Sequence, residues 1–183
     1  MIRALTDSLK RRMLLGSSQS TFHPMTNTAT DSAARTVTPD EAARLASQTM
    51  DAQDAAASFL GIEVEQCLPG FARLSFTVTP QMVNGHDMCH GGLIFSLADT
   101  AMAHASNSHN VPAVAVSCAI EFLSPGRTGD KLTATAQEQS LKGRTGIHDV
   151  RVCNQDDELI ALFRGTTRKL KGAIVDDLII QGR

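Results

Sequence analysis

Residues 84–107 read NGHDMCHGGLIFSLADTAMAHASN. A polar, glycine-bearing loop passes here into a long apolar stretch with helical spacing. One carboxylate, Asp99, stands in it. From His90 to Asn110 there is no Lys, no Arg and no second acid. Phe95 and Ser96 lie one turn before Asp99, and Met102 and Ala103 one turn after. A helix this apolar on all sides belongs in an interior. A carboxylate buried there without a local cation is costly unless something polar meets it. Such a residue marks a candidate functional site; the plain alternative is a buried acid bonded to Ser96, Thr100 or a strand backbone.

Outward from that helix the chain reads as strands. On the N-terminal side, residues 62–68 and 71–78 are strand-like and joined by Pro69-Gly70, a turn pair. On the C-terminal side, Val114, Val116, Cys118, Ile120 and Phe122 alternate with small or polar residues until Ser124-Pro125-Gly126. Leu132, Ala134 and Ala136 mark the next strand, residues 146–154 another, and residues 158–169 a last one, with Lys142-Gly143 and Asp156-Asp157 as turns. A first helix begins at Thr38-Pro39-Asp40-Glu41, a capping box with proline at the first helical position. Its spacing predicts a run to about residue 59, with Leu45, Ala52, Ala56 and Phe59 inward and Gly61 as the stop. The expected domain spans residues 38–170. Residues 1–37 are a flexible extension and residues 171–183 a tail with a packed turn around Val175, Leu178, Ile179 and Ile180. The class is α+β: six antiparallel strands and one long helix inserted after the second. One twisted sheet covers one side of such a helix, so a second subunit is expected on the other.

The totals exclude several function classes. With 183 residues and 42% hydrophobic content, one soluble domain with a full core is expected. A net charge of −2 with neither Trp nor Tyr gives no field or stacking platform for nucleic acid. No run is long and apolar enough for a membrane span. Cys67, Cys89, Cys118 and Cys153 form no C-x-x-C pair, which suits reduced thiols and a cytoplasmic location.

The chemistry centres on the loop and helix. The first amides of a helix lack internal partners and carry the positive end of its dipole. His90-Gly91-Gly92 stands there, and glycine lets a polarised carbonyl approach closely; the plain alternative is a tight entry into the helix. Asn84 orients a water or a carbonyl, or serves only the Asn84-Gly85 turn. His90 donates to a substrate, or caps the helix. Asp99 follows Gly91 by eight residues, about 12 Å along a helix axis. It cannot act on a group held by its own Gly91, but two antiparallel helices about a two-fold axis bring each Asp99 to its neighbour's Gly91. His104 and His109 read as structural. His86, Asp87, Cys89 and His90 invite a metal reading, but so short a loop does not aim four ligands at one ion, and no metal is expected.

The run Asn84-Gly85-His86, Cys89-His90-Gly91-Gly92 and Phe95-Ser96-Leu97-Ala98-Asp99-Thr100 resembles the hot-dog-fold acyl-CoA thioesterases, in particular those of bacterial phenylacetate degradation. The similarity runs over about residues 51–170 and includes Phe122-Leu123-x-Pro125-Gly126, Gly129-Asp130 and Leu162-Phe163-Arg164-Gly165. It implies a sheet of strand order 1-2-4-5-6-3 wrapped around the central helix, and a dimer of dimers with active sites across the dimer interface. It implies an acyl-CoA substrate, phenylacetyl- or hydroxyphenylacetyl-CoA, and no cofactor. Asp99 becomes the general base or nucleophile, the Gly91 amide polarises the carbonyl, and Asn84 and His90 assist. Gly92, Phe95, Thr100, Gly126, Arg127, Arg144, Thr145 and Gly146 then meet the substrate. An Arg frequent before Pro-Gly in the family is Ser124 here, with Arg127 just after the pair. Two other readings stay open on the same residues: an enoyl-CoA hydratase of the same fold, and a non-catalytic acyl-CoA-binding protein.

Overall fold

A computed structural model describes residues 34–182. The elements are β1 (Arg35–Val37), α1 (Pro39–Asp51), α2 (Ala55–Leu60), β2 (Glu63–Leu68), β3 (Phe71–Thr77), a 3-10 turn (Pro80–Met82), α3 (Gly91–Asn107), β4 (Ala113–Phe122), β5 (Lys131–Lys142), β6 (Thr145–Cys153), β7 (Leu159–Lys169) and β8 (Leu178–Ile180). Six strands form one antiparallel sheet in the order β2-β3-β5-β6-β7-β4. Numbered within that sheet alone, this is 1-2-4-5-6-3, the hot-dog order.

The sheet closes on α3 through small residues. Ala134, Ala136, Ala161 and Gly165 lie beneath Leu97, Ala98, Ala101 and Met102, with Leu74, Leu132, Val150, Val152 and Phe163 filling the rest of the core. A Cβ built on Gly165 would overlap Met102 Sδ, so glycine there leaves room for the Met102 side chain as the helix packs on the sheet. Asn107 fixes the far end of α3: its amide donates to Ala103 O and Ala113 O, and its carbonyl accepts from Ala113 N at 2.8 Å.

Burial of α3 is one-sided. Ile94, Leu97, Ala98, Ala101 and Met102 are buried, whereas Gly92, Ser96, Asp99 and Ala103, on the opposite face, keep solvent contact. Beside that face lies the edge strand β4, with Val114, Val116 and Phe122 at 48%, 58% and 52% exposure and Leu123 just beyond it at 55%. A bulge between Ala115 and Ser117 interrupts the simple alternation expected for this strand.

Two expectations need correction. The single helix to residue 59 is two helices. α1 ends at Asp51, and the Asp54 carboxylate accepts from Ala57 N at 2.8 Å to start α2. A short acidic side chain serves better as a cap than inside a helix, and it restarts the rotation. The buried positions are therefore Ala42, Ala43, Ala46, Ser47 and Ala57; Ala52, Ala56 and Phe59 are exposed, Phe59 at 88%, and Leu45 is half-buried. The ends also differ. Arg35–Val37, assigned above to the extension, pairs in parallel with Leu178–Ile180 of the tail, and Val37 is buried. The rest of the extension, residues 1–33, lies outside the described residues.

Candidate active site

The loop ahead of α3 is built by its own polar groups. Asn84 Oδ1 accepts from His86 N at 2.9 Å and Met88 N at 3.4 Å, and Asn84 N donates to Met88 O. His90 N donates to Met82 O, and Cys89 N to Gly126 O at 2.8 Å, which ties the Ser124-Pro125-Gly126 turn to the helix entry. His90 is the N-cap: its Nδ1 accepts from Gly92 N at 3.1 Å. The structural alternatives for Asn84 and His90 are thus both in force. Each still keeps a donor to offer, Asn84 Nδ2 and, in the neutral tautomer this cap selects, His90 Nε2–H.

With Gly92 capped, and Leu93 and Ile94 both donating to His90 O, Gly91 N is the amide left at the helix start. Gly91 lines a cleft of about 300 Å³ together with Met88, Cys89, Ile94, Phe122, Leu123 and Pro125, and with Asn84, Ser124 and Gly126. The Phe122 ring packs so closely over Gly91 that a Cβ there would stand 2.9 Å from its Cζ. Burial pushes the Cys89 thiol up to about 11, so that wall is neutral. The cleft is open and mostly apolar, with the positive end of α3 in its lining, suited to a carbonyl with an apolar substituent.

Asp99 is not in this cleft. It lies on the same continuous helix, eight residues on, about 12 Å along the axis. Burial raises its pKa, and a hydrogen bond from Cys118, Sγ 3.7 Å from Oδ1, opposes the shift. The neighbouring hydroxyls are turned away: Ser96 donates to Gly92 O and Thr100 to Ser96 O, each at 2.8 Å. Phe95 packs edge-on against Phe163, with centroids 5.3 Å apart.

The two arginine regions lie at opposite ends. Arg127 is near the cleft, its Nη1 donating to Asp87 O at 3.3 Å and its backbone N to Asp130. Arg144 and Thr145 cap the β5–β6 hairpin, where Thr145 is opposite Arg168, whereas Phe122 is opposite Ala161. Those rows are seven residues apart on β7, about 23 Å. Arg144 donates to Lys169 O, and Gly146 is buried between His148 and Thr167 with no surface to offer within the chain. One chain therefore gathers Asn84, Gly91 and Gly126 at one cleft and leaves Asp99, Arg144 and Thr145 elsewhere.

His104 and His109 are occupied away from the cleft, His104 Nδ1 with Ser47 Oγ at 2.8 Å and His109 Nε2 with Glu138 at 3.0 Å. In the loop Cys89 is buried, whereas His86, Asp87 and His90 are exposed. Among the described residues no three His, Cys, Asp or Glu side chains converge as metal ligands. Sequence reading missed Phe122 and Cys118 as site residues. Alternation placed them on a strand, but only the register and bulge of β4 show which helix residues they meet.

Residues 86–161 match the thioesterase superfamily. The acyl-coenzyme A thioesterase PaaI of Escherichia coli is 49% identical over 124 residues, 68% of this chain and 89% of its own length. The chain belongs to the thioesterase superfamily. The E. coli PaaI structure, from the phenylacetic acid degradation operon, superposes with a TM-score of 0.73 at 44% identity, covering 78% of this chain and 100% of that one. A mutant of the phenylacetic acid degradation protein PaaI from Thermus thermophilus superposes with a TM-score of 0.62 at 37% identity, over 64% and 100%. A Streptococcus mutans protein bound to acetyl CoA gives 0.59 at 25% identity, over 61% and 90%. The family expected from the loop and helix motif, the hot-dog order and a thioester-hydrolysing enzyme are all borne out.

Proposed function

We propose that this thioesterase hydrolyses acyl-CoA thioesters, with phenylacetyl- or hydroxyphenylacetyl-CoA as substrate. The observation that carries the reading is the mostly apolar cleft that Gly91 lines at the start of α3. The PaaI likenesses favour an arylacetyl group, and the S. mutans complex favours CoA as the carrier. The thioester carbonyl rests on Gly91 N–H, which stabilises the oxyanion that forms. Asp99 takes a proton from water as that water attacks the carbonyl carbon, or attacks itself to give an anhydride that water opens. Either way the C–S bond breaks, the acid leaves and the sulfur recovers a proton as free CoA. Asn84 Nδ2 and His90 Nε2–H act as donors that position the substrate.

Asp99 and its own Gly91 are too far apart, so the enzyme works as a two-fold dimer. The exposed edge of β4, with Val114, Val116, Phe122 and Leu123, is the surface for pairing with the β4 of a second copy. Antiparallel pairing sets the Ala113 end of one strand against the Phe122 end of the other. That carries Arg144 and Thr145 to the cleft of the partner subunit, beside its Arg127, where CoA phosphates need cations. The outer sheet face, with Ile147 and Leu162 exposed, supports association of two such dimers. A cytoplasmic location, with reduced thiols and an acyl-CoA substrate, belongs to the same reading.

The test is CoA release followed with a thiol reagent, on phenylacetyl-CoA, a hydroxylated phenylacetyl-CoA and a medium-chain acyl-CoA. Wild type is expected to favour the aryl substrates, and Asp99→Asn to lose about a hundredfold or more while folded. Binding without turnover, unaffected by Asp99→Asn, assigns a binding protein instead.

A further inference from the structure

Asp99 meets one side-chain hydrogen-bond donor among the described residues, and it is a thiol. Cys118 stands in the middle of β4 with Sγ 3.7 Å from Asp99 Oδ1, within normal reach for an S–H donor. Its register sets it there: Cys118 is opposite Gly165 of β7, just past the Ala115/Ser117 bulge. Other groups of the packed elements are committed elsewhere. Ser96 and Thr100 of α3 donate to backbone carbonyls, and Arg164 of β7 grips Asp149 of β6 in a two-pronged pair, beside Glu121 of β4 in a separate cavity. His104, further along α3, is bound to Ser47.

We propose that Cys118 is a positioning residue for Asp99: its thiol hydrogen holds one carboxylate oxygen, fixing the side chain so that the other faces the attacking water or the thioester. The proposal rests on the reading of Asp99 as base or nucleophile. The thiol itself is no competing nucleophile. Burial, and then the charge of Asp99, push it up to about 11, so it keeps its proton and donates. The choice of sulfur also fits the task. A hydroxyl would stabilise the ionised carboxylate more strongly and weaken it further as a base, whereas a thiol orients it while lowering its basicity less.

The Asp99 carboxyl is titrated by ¹³C NMR in the full chain with labelled aspartate, its resonance assigned by loss in Asp99→Asn. Cys118→Ala, which removes the donor, is expected to raise the Asp99 pKa. Cys118→Ser, which restores a stronger donor, is expected to bring it back to or below the wild-type value. The acid limb of kcat/KM should move the same way in each variant, a response that loss of packing alone does not produce. Cys118→Val, closer in volume, serves if the alanine variant does not fold. An Asp99 titration that stays put or falls when the donor is removed overturns the proposal. Absence of CoA release from wild type overturns the hydrolase reading instead, and the NMR titration still decides the contact.

Discussion

His148 is a buried imidazole with neither nitrogen hydrogen-bonded among the described residues; its nearest acid, Glu138 Oε2, is 3.8 Å away and already bonded to His109. Burial lowers its pKa against the pull of Glu138, and burial likewise lowers that of His104 against Asp51 and Asp54. The sign follows. In the unfolded chain both titrate near the ordinary histidine value of about 6.5. Above that pH neither state binds the proton, and these residues add no pH dependence. Below it the unfolded chain is protonated first, so stability falls with pH until the folded pKa values are passed. Thermal melts between pH 8 and 5 should show the transition dropping on the acid side of about 6.5, and His148→Phe should flatten the slope. A transition that holds constant over that range contradicts this account. Neither environment was legible in the sequence. Asn84, Gly91 and Asp99 stood out because their types and spacing are local facts. The surroundings of His148 and Cys118 depend on strands far away in the chain, through β6 paired to β5 and β4 paired to β7.

At the scale of elements, α3 is fixed by how closely it approaches the sheet. The approach is set by Gly165, over which Met102 lies. Gly165→Ala inserts a methyl into the space of Met102 Sδ, so the Met102 side chain, the helix or the strand must move. The expected cost is about 1–3 kcal/mol, the usual range for overpacking a core. It is measured by denaturant unfolding, and Gly165→Ala with Met102→Ala should recover part of it, since the two share one space. Full stability in the single variant would mean that the Met102 side chain turns aside without cost and that Gly165 does not set the approach. The strands themselves were readable, because Pro69-Gly70 and Lys142-Gly143 punctuate alternating runs, and both turn glycines have positive φ, +70° and +59°. The break between α1 and α2 was not. Asp54 reads as one polar residue in a helical run, and only its bond to Ala57 N shows a cap. The same error moved the apolar face, since alanines bury against β2 and α3 while Phe59 points outward.

For the whole molecule the sequence raised a question that one chain answers only in half: an apolar helix needs cover on two sides, and its acid lies about 12 Å from the Gly91 amide at its own start. Within the chain, the sheet covers one side and the acid stays where the helix puts it. If each site joins Asp99 of one subunit to Gly91 of the other, two inactive variants should complement. Asp99→Asn keeps a sound helix start. Gly91→Val, whose side chain strikes the Phe122 ring, keeps a sound acid. In a mixed dimer both lesions fall in one site and the other site is intact. Random reassortment makes half of the dimers mixed, each with one working site of two, so the mixture should return to about a quarter of wild-type activity and the isolated mixed dimer to about a half. Co-expression with two affinity tags, isolation of the doubly tagged species and CoA release measure this directly. A site built within one subunit gives no recovery at any mixing ratio, because each chain then carries its own lesion. A charge on the exposed edge, as in Val116→Asp, should abolish the recovery together with the dimer, seen by sedimentation, while leaving Asp99 and Gly91 untouched.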